Sequence, residues 1–298
     1  MLAFVLGCFA VGLLARHLAP RSVALVPWLD HGVLSITLPA LILAKLGDLA
    51  IGADLAVPVG AAWGGGALAV ASVLVGARRC GWSRETTGAL LLVTALGNTT
   101  FLGLPLVEAL LGKAALARAL AFDQLGTFLG LAVYGSFIAA HYGHGESGWQ
   151  PVLRRLLRFP AFLAVLASFA LRLVDVPVGL DDALGEVGQL VSPLAMLALG
   201  LRFRIAATAH SRQAAIWCLS TKMVLLPLTV FAVALALGGA SDPAWRASIL
   251  EAGMPPMVTA GVMAARADLD EELATTVVGV GLVLALVSIP LLALALPG

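Results

Sequence analysis

Apolar residues run through this chain in blocks of about 20, the length that crosses the hydrocarbon core of a bilayer as a helix, and short polar punctuation separates the blocks. They lie at about 1–16, 23–46, 54–78, 88–112, 116–141, 156–175, 183–202, 212–238, 245–266 and 271–296. The pattern predicts an all-α integral membrane protein of ten transmembrane helices. No polar stretch is large enough for a soluble domain, so residues 1–298 read as one transmembrane domain. The first block lacks the basic n-region of a signal peptide and is followed by Arg16 and Arg21, so it is read as a helix and not as a cleaved leader.

Two blocks are broken at their centres. The fourth holds "LGNTTFLGLP", residues 96–105, with two glycines, a proline, an asparagine and two threonines. Gly costs a helix interior about 1 kcal/mol and Pro about 3 kcal/mol, so plain helix is not expected there. The ninth holds "GMPPMVTAG", residues 253–261. The second and seventh blocks match as well: "SITLPALILAKL" and "LVSPLAMLALGL" set Pro39 and Pro193 at comparable depth, five blocks apart. These correspondences predict two five-helix repeats, about 1–141 and 156–296, joined by a linker over 142–155. An odd number of crossings inverts the second copy, and paired interrupted helices in inverted halves point to the substrate site of a secondary transporter.

Charge sets the orientation. The odd-numbered connections carry twelve of the eighteen basic residues, Arg16 through Arg266, and the even-numbered ones carry five, Lys45 through Arg246. Basic residues favour the cytoplasmic side, so both termini are expected to be periplasmic, the linker cytoplasmic and the membrane a bacterial inner membrane. The remaining cation, Lys222, lies ten residues inside the eighth block. Overall composition agrees, with 60% hydrophobic residues and 12% charged, against about 25% charged in soluble domains. Cys8, Cys80 and Cys218 fit no metal or disulfide spacing, and His31, His141 and His144 form no ligand constellation, so no metal is expected.

Breaking two helices at the midplane frees backbone groups that must be satisfied within protein. Where each second half-helix begins, free N–H groups and the positive end of the dipole can receive an anion. The substrate-binding candidates are therefore Gly97, Asn98, Thr99 and Thr100 at one break, and Pro255, Pro256 and Thr259 at the other. Asn98 is also a candidate N-cap for the half-helix after it. Lys222 is costly to bury and should face the bundle interior with a partner or an anionic ligand; Asp123 and Asp30 are candidate partners, and an ion pair that only ties helices together stays open. Asp123, with Gln124 beside it, is a candidate coupling carboxylate. Glu108 and Glu251 read either as charges at a helix end or cavity mouth or as coupling residues. Gly126 and Gly130 fit a small-xxx-small contact, which leaves a homodimer open.

The stretches "GNTTFLGLPL" (97–106), "GMPPMVTAGVMA" (253–264) and "KMVLLP" (222–227) resemble the auxin efflux carrier family in its bacterial branch, over the whole chain. That branch includes carriers assigned to malonate and other organic acids. The resemblance implies a scaffold-and-core fold similar to bile-acid symporters and sodium/proton antiporters, with helices 4 and 9 crossing at their breaks and alternating access of the elevator kind. Gly97 stands where the plant branch has proline, and the long cytoplasmic loop of the plant type has no counterpart.

The reading is a secondary transporter of small organic anions, coupled to a proton or to sodium or to neither, with the bilayer as its other partner, no cofactor and no nucleic acid. The alternative is a cation/proton antiporter of related fold, which predicts adjacent carboxylates at the break; "GNTTFLG" has none. An enzyme is not expected: the sequence has no phosphate-binding glycine loop, haem signature or nucleophile elbow.

Overall fold

A computed structural model of the protein describes residues 2–46, 52–143, 149–171, 179–203 and 212–297. In chain order its helices are α1 (Leu2–Leu18), α2 (Pro20–Lys45), α3 (Asp54–Cys80), α4 (Arg84–Ala95), α5 (Thr99–Leu111), α6 (Lys113–Tyr142), α7 (Trp149–Leu157), α8 (Pro160–Leu171), α9 (Leu180–Arg202), α10 (Arg212–Ala236), α11 (Pro243–Ala252), α12 (Val258–Arg266) and α13 (Glu271–Ala295). Among the described residues the elements are helical, apart from one isolated antiparallel bridge, Gly97 to Pro256.

Six of these runs, α2, α3, α6, α9, α10 and α13, are long and apolar enough to cross a membrane; α1, α5 and α8 are apolar but shorter. Large apolar side chains such as Trp28, Leu237 and Leu294 face outward, as a lipid-facing surface requires. The chain is an integral membrane protein with several crossing helices. The linker is not all loop. Residues 149–157 form α7, whose Trp149, Leu153 and Leu157 repeat every four residues and are exposed, the pattern of a helix lying in a membrane interface. Residues 144–148, and with them His144, lie outside the described residues.

Prolines bend the helices in a regular way. A π turn at Val33–Thr37 precedes Pro39, another at Thr99–Gly103 precedes Pro105, and a third at Thr221–Leu225 precedes Pro227. In each case the residue four before the proline, whose carbonyl the ring would strike, lies inside the widened turn. α6 carries two further π segments, Ala121–Phe128 and Leu131–Gly135. Such insertions concentrate at functional sites.

Packing around the bundle uses small residues and capped ends. α1 and α9 meet at Gly12 and Gly200, where a Cβ on Gly12 would lie 3.1 Å from the Gly200 Cα. Arg16 reaches across the same interface to the carbonyls of Leu201 and Phe203 at the end of α9, where a cation meets the negative end of the helix dipole. Arg202, one residue earlier, pairs with Asp30 of α2 and stacks over the Phe101 ring at 4.8 Å. Asp54 and Arg118 tie α3 to α6 at 2.8 Å.

The interrupted helices occupy the middle. Every residue from Thr86 to Thr94 of α4 is buried, as is every one from Thr99 to Glu108 of α5 and from Ala247 to Ala252 of α11. Two apolar clusters flank the breaks: Leu96 and Met257 belong to one, Phe101, Ala252 and Met254 to the other. The breaks therefore lie where the two halves of the core meet, away from lipid.

Candidate functional site

The two breaks complete each other. α4 ends at Ala95, Leu96 turns extended, and the N–H of Asn98 donates to the carbonyl of Pro255 at 2.8 Å. In return the N–H of Met257 donates to the carbonyl of Leu96 at 2.9 Å. This two-residue antiparallel pairing satisfies groups that a break in lipid would orphan. Pro255 and Pro256 carry no N–H, so the second break has fewer donors to satisfy. α13 seats the prolines closely: a Cβ on Gly281 would lie 2.9 Å from Pro256 Cδ and 3.0 Å from Pro255 Cβ.

Asn98 occupies the N-cap position of α5, but its side chain makes no capping bond; its backbone carbonyl accepts from the N–H groups of Leu102 and Gly103. The side-chain capping expected from sequence is therefore absent. Asn98 is 1% exposed and its amide Nδ2 has no hydrogen-bond partner. A buried donor left unmade costs about 1–3 kcal/mol.

Thr99 and Thr100 do not hold their hydroxyl protons for a ligand. Both donate to the carboxylate of Asp123, Thr100 at 2.8 Å to Oδ1 and 2.9 Å to Oδ2, and Gln124 Nε2 donates to Oδ2 at 2.6 Å. Asp123 and Gln124 reach the break on the first π segment of α6, and both are buried. Three donors on one buried carboxylate satisfy it as an anion. Thr259 is the candidate that lies apart: it is exposed in the first turn of α12.

Lys222 reaches the crossing on the π turn of α10 and is 3% exposed. Its Nζ donates to the carbonyl of Ala252 at 3.2 Å, the last residue of α11, where the dipole's negative end lies. Neither aspartate expected as its partner bonds it, since Asp30 is taken by Arg202 and Asp123 by Thr99, Thr100 and Gln124. Gly97 leaves room for the ammonium: a Cβ there would lie 3.1 Å from Nζ. A cavity of about 230 Å³ opens onto this group. It is walled by Ala61, Ala62, Gly65 and Gly66 of α3 and by Gly126 and Gly130 of α6, and Lys222 is the charged residue in its lining.

The small-residue face of α3 is the part that sequence reasoning missed. Its signal is "GAAWGGGALA" over 60–69, three consecutive glycines inside an apolar block. Trp63 fixes this face by donating Nε1 to the carbonyl of Leu125 at 3.0 Å. Glu251, which sequence leaves open, is wholly buried at the end of α11 with Asp123 and Lys222 as charged neighbours. Glu108 instead accepts from Ser192 at 2.7 Å and ties α5 to α9.

Comparison with known proteins identifies the family. The model of the family described as "membrane transport protein" matches residues 2–147 and 149–293. An uncharacterized transporter of Methanothermobacter thermautotrophicus is 29% identical over 268 residues, which is 88% of this chain and 86% of that protein. An uncharacterized transporter of Methanocaldococcus jannaschii is 31% identical over 122 residues, 39% of each chain.

Proposed function

The chain belongs to the membrane transport protein family, the auxin efflux carrier family that its motifs resemble, and on that premise we propose that it is a secondary transporter of small organic anions. It is a membrane transporter and not a member of an enzyme class. The observation that carries the anion reading is the presence at the helix crossing of one buried ammonium bonded to a carbonyl and one unpartnered amide donor, with Lys222 facing the small cavity and Asn98 on the break. A carboxylate in the cavity would accept from Nζ, and the unpartnered Nδ2 on the break is a second free donor at the crossing. The size of the anion is bounded by the cavity, which suits a short mono- or dicarboxylate better than a ring system.

In this reading α4 with α5, and α11 with α12, each count as one interrupted crossing. With the remaining helices they make ten crossings in two inverted repeats, about 1–141 and 156–296, with both termini outside a bacterial plasma membrane. Alternating access moves the crossing, as in an elevator, past the helices that scaffold it, and a second copy of the chain would brace that scaffold. The step is coupled to a proton, to sodium or to neither.

One observation favours the second reading, a cation/proton antiporter: Asp123 and Glu251 bring to the crossing the paired carboxylates that "GNTTFLG" lacks. Lys222 in the same site gives the anion precedence. A thermal-shift screen of detergent-purified protein against acetate, lactate, malonate and succinate, with and without sodium, tests the choice. A carboxylate that raises the melting temperature and drives uptake into proteoliposomes supports the anion reading. Stabilisation by sodium alone, with no response to any acid, transfers it to the antiporter.

A further inference from the structure

Glu251 has no part in the anion contacts above, yet among the described residues it is a buried carboxylate with both oxygens unpartnered. The elements packed on α11 bring few titratable groups toward it. α6 brings Asp123 and α10 brings Lys222, its two charged neighbours. Elsewhere on α6, Arg118 is paired with Asp54 of α3, Lys113 bonds the side chain of Gln189, and Tyr134 donates to the carbonyl of Leu91. The thiol of Cys218 on α10 is bonded by Thr94, and Glu108 of α5 by Ser192. α3 between Asp54 and Arg78, and α13 beyond Glu272, hold no ionisable residue.

The charge sum of the crossing follows from the donors. Asp123, held by three donors, is satisfied as an anion, and Lys222 as a cation, so these two balance. Glu251 as an anion would be a buried charge with no donor, facing a second carboxylate, an arrangement that burial penalises heavily. A substrate carboxylate docking at Lys222 adds one more negative charge beside it. We propose that Glu251 is the proton-binding site of the transport cycle: as the organic anion docks at Lys222, a proton from water bonds to one Glu251 carboxylate oxygen, and anion and proton cross together.

The reaction is R–COO⁻ plus H⁺ giving R–COOH on the side chain, with no other bond changed. The reporter of that proton is Gly103. A Cβ at this position would overlap the Glu251 carboxylate, so the π turn that opens α5 rests directly on the carboxyl. The proton therefore acts on the packing of α5 against α11, the two helix halves that form the crossing. This inference rests on the anion reading for its coupling but not for its site.

Two measurements on the full-length protein test it. In the first, proton uptake on adding malonate is read with an indicator dye in weakly buffered detergent solution, together with malonate affinity across pH. Above the pH at which the empty site gives up its proton, wild type is expected to take up one proton per malonate, with affinity weakening by about tenfold per pH unit there. Glu251→Gln is expected to bind malonate with no uptake and a flat pH profile. Uptake that persists in Glu251→Gln and vanishes in Lys222→Gln or Asp123→Asn overturns the assignment, and so does dependence on sodium in place of protons.

The second measurement needs no ligand. The infrared band of a protonated carboxyl should appear on lowering pH in wild type, Asp123→Asn and Glu108→Gln, and be missing in Glu251→Gln. If Glu251→Gln does not fold, isotope-labelled glutamate must shift the band in wild type while Glu108→Gln leaves it in place. A band that survives Glu251→Gln, or that no labelling of glutamate moves, overturns the proton site. Failure of malonate and every other acid to bind wild type, with the infrared result intact, removes the anion reading and leaves Glu251 as the proton site of the antiporter.

Discussion

The ammonium of Lys222 donates to the carbonyl of Ala252 at 3.2 Å, so the buried cation of α10 sits on the last residue of the first half of the other broken helix. The bond sets the ammonium at the meeting point of the two breaks without neutralising it. Replacement of Lys222 by Gln keeps a donor for Ala252 and removes only the charge. Hydrogen bonds to charged groups contribute about 1.5–3 kcal/mol, so Lys222→Gln is expected to weaken carboxylate binding by roughly tenfold to a hundredfold. The melting temperature in detergent should hold or rise, because a desolvated charge has been taken away. Isothermal titration with the acid found in the thermal screen checks both; unaltered affinity would move the anion elsewhere.

Gly97 and Lys222 should act on each other. A Cβ at Gly97 lies 3.1 Å from Nζ and 3.2 Å from Cε, closer than side chains normally pack, so Gly97→Ala must displace the end of the lysine. The Asn98 to Pro255 and Met257 to Leu96 bonds are main-chain and can survive. The expected result is a several-fold loss in uptake with a small change in melting temperature, and a double variant Gly97→Ala, Lys222→Gln no worse than Lys222→Gln alone. Additive losses would show that Gly97 serves the backbone and not the ammonium.

The interruption of both helices is legible in the sequence because Gly and Pro mark it locally, and "GNTTFLG" and "GMPPM" need no tertiary information to be read as breaks. Lys222 is legible for the same reason, as one charge in an apolar block. What closes around them is not. Asp123 is an ordinary carboxylate in sequence, and only the packing of α6 brings it beside the break; Glu251 stands next to the second break in the sequence, but only the fold shows that it is buried without a donor. The roles of Thr99 and Thr100 follow from that packing, since their hydroxyls go to Asp123. Thr259 looks equivalent to Thr99 by its position after a break, yet α12 starts with Val258 and turns Thr259 outward. The helix α7 is hidden in the linker because nine residues give too short a pattern to separate from loop.

Asn98 separates a capping role from a binding one. An asparagine that caps with its side chain costs about 0.5–2 kcal/mol when replaced by Ala. Here no side-chain capping bond exists and Nδ2 is unpartnered, so Asn98→Ala is expected to leave the melting temperature within about 2 °C of wild type while lowering acid affinity. A large loss of stability would return Asn98 to a structural role.

The Asp123 cluster should behave in the opposite way. Thr99, Thr100 and Gln124 all donate to this carboxylate. Asp123→Ala strands three buried donors, each costing about 1–3 kcal/mol when left unmade. The variant should be recovered from membranes at a small fraction of the wild-type level. Asp123→Asn keeps one acceptor oxygen and should be recovered at an intermediate level, so the order wild type, Asn, Ala in size-exclusion yield is the check.

Gly12 and Gly200 test whether α1 belongs to the bundle or only borders it. Their backbones touch, with 3.1 Å from a Gly12 Cβ to the Gly200 Cα, while a Cβ on Gly7, earlier on α1 and on another face, meets nothing within 4 Å. Without a hydrophobic force between helices in lipid, close backbone approach at small residues is what holds such a pair together. Forcing bulk into a packed contact costs about 1–3 kcal/mol, so Gly12→Leu should lower the melting temperature by several degrees. It should also loosen Arg16 from the carbonyls of Leu201 and Phe203, and hence free the end of α9, whose Arg202 lies over Phe101 of α5. Gly7→Leu, on the same helix, should be silent. Helix propensity favours Leu over Gly at both positions, so equal falls from the two substitutions would mean that the cost does not come from the α1–α9 contact. A fall confined to Gly12→Leu, accompanied by slower uptake, would show that the scaffold side of the molecule reaches the crossing through Arg202 and Phe101.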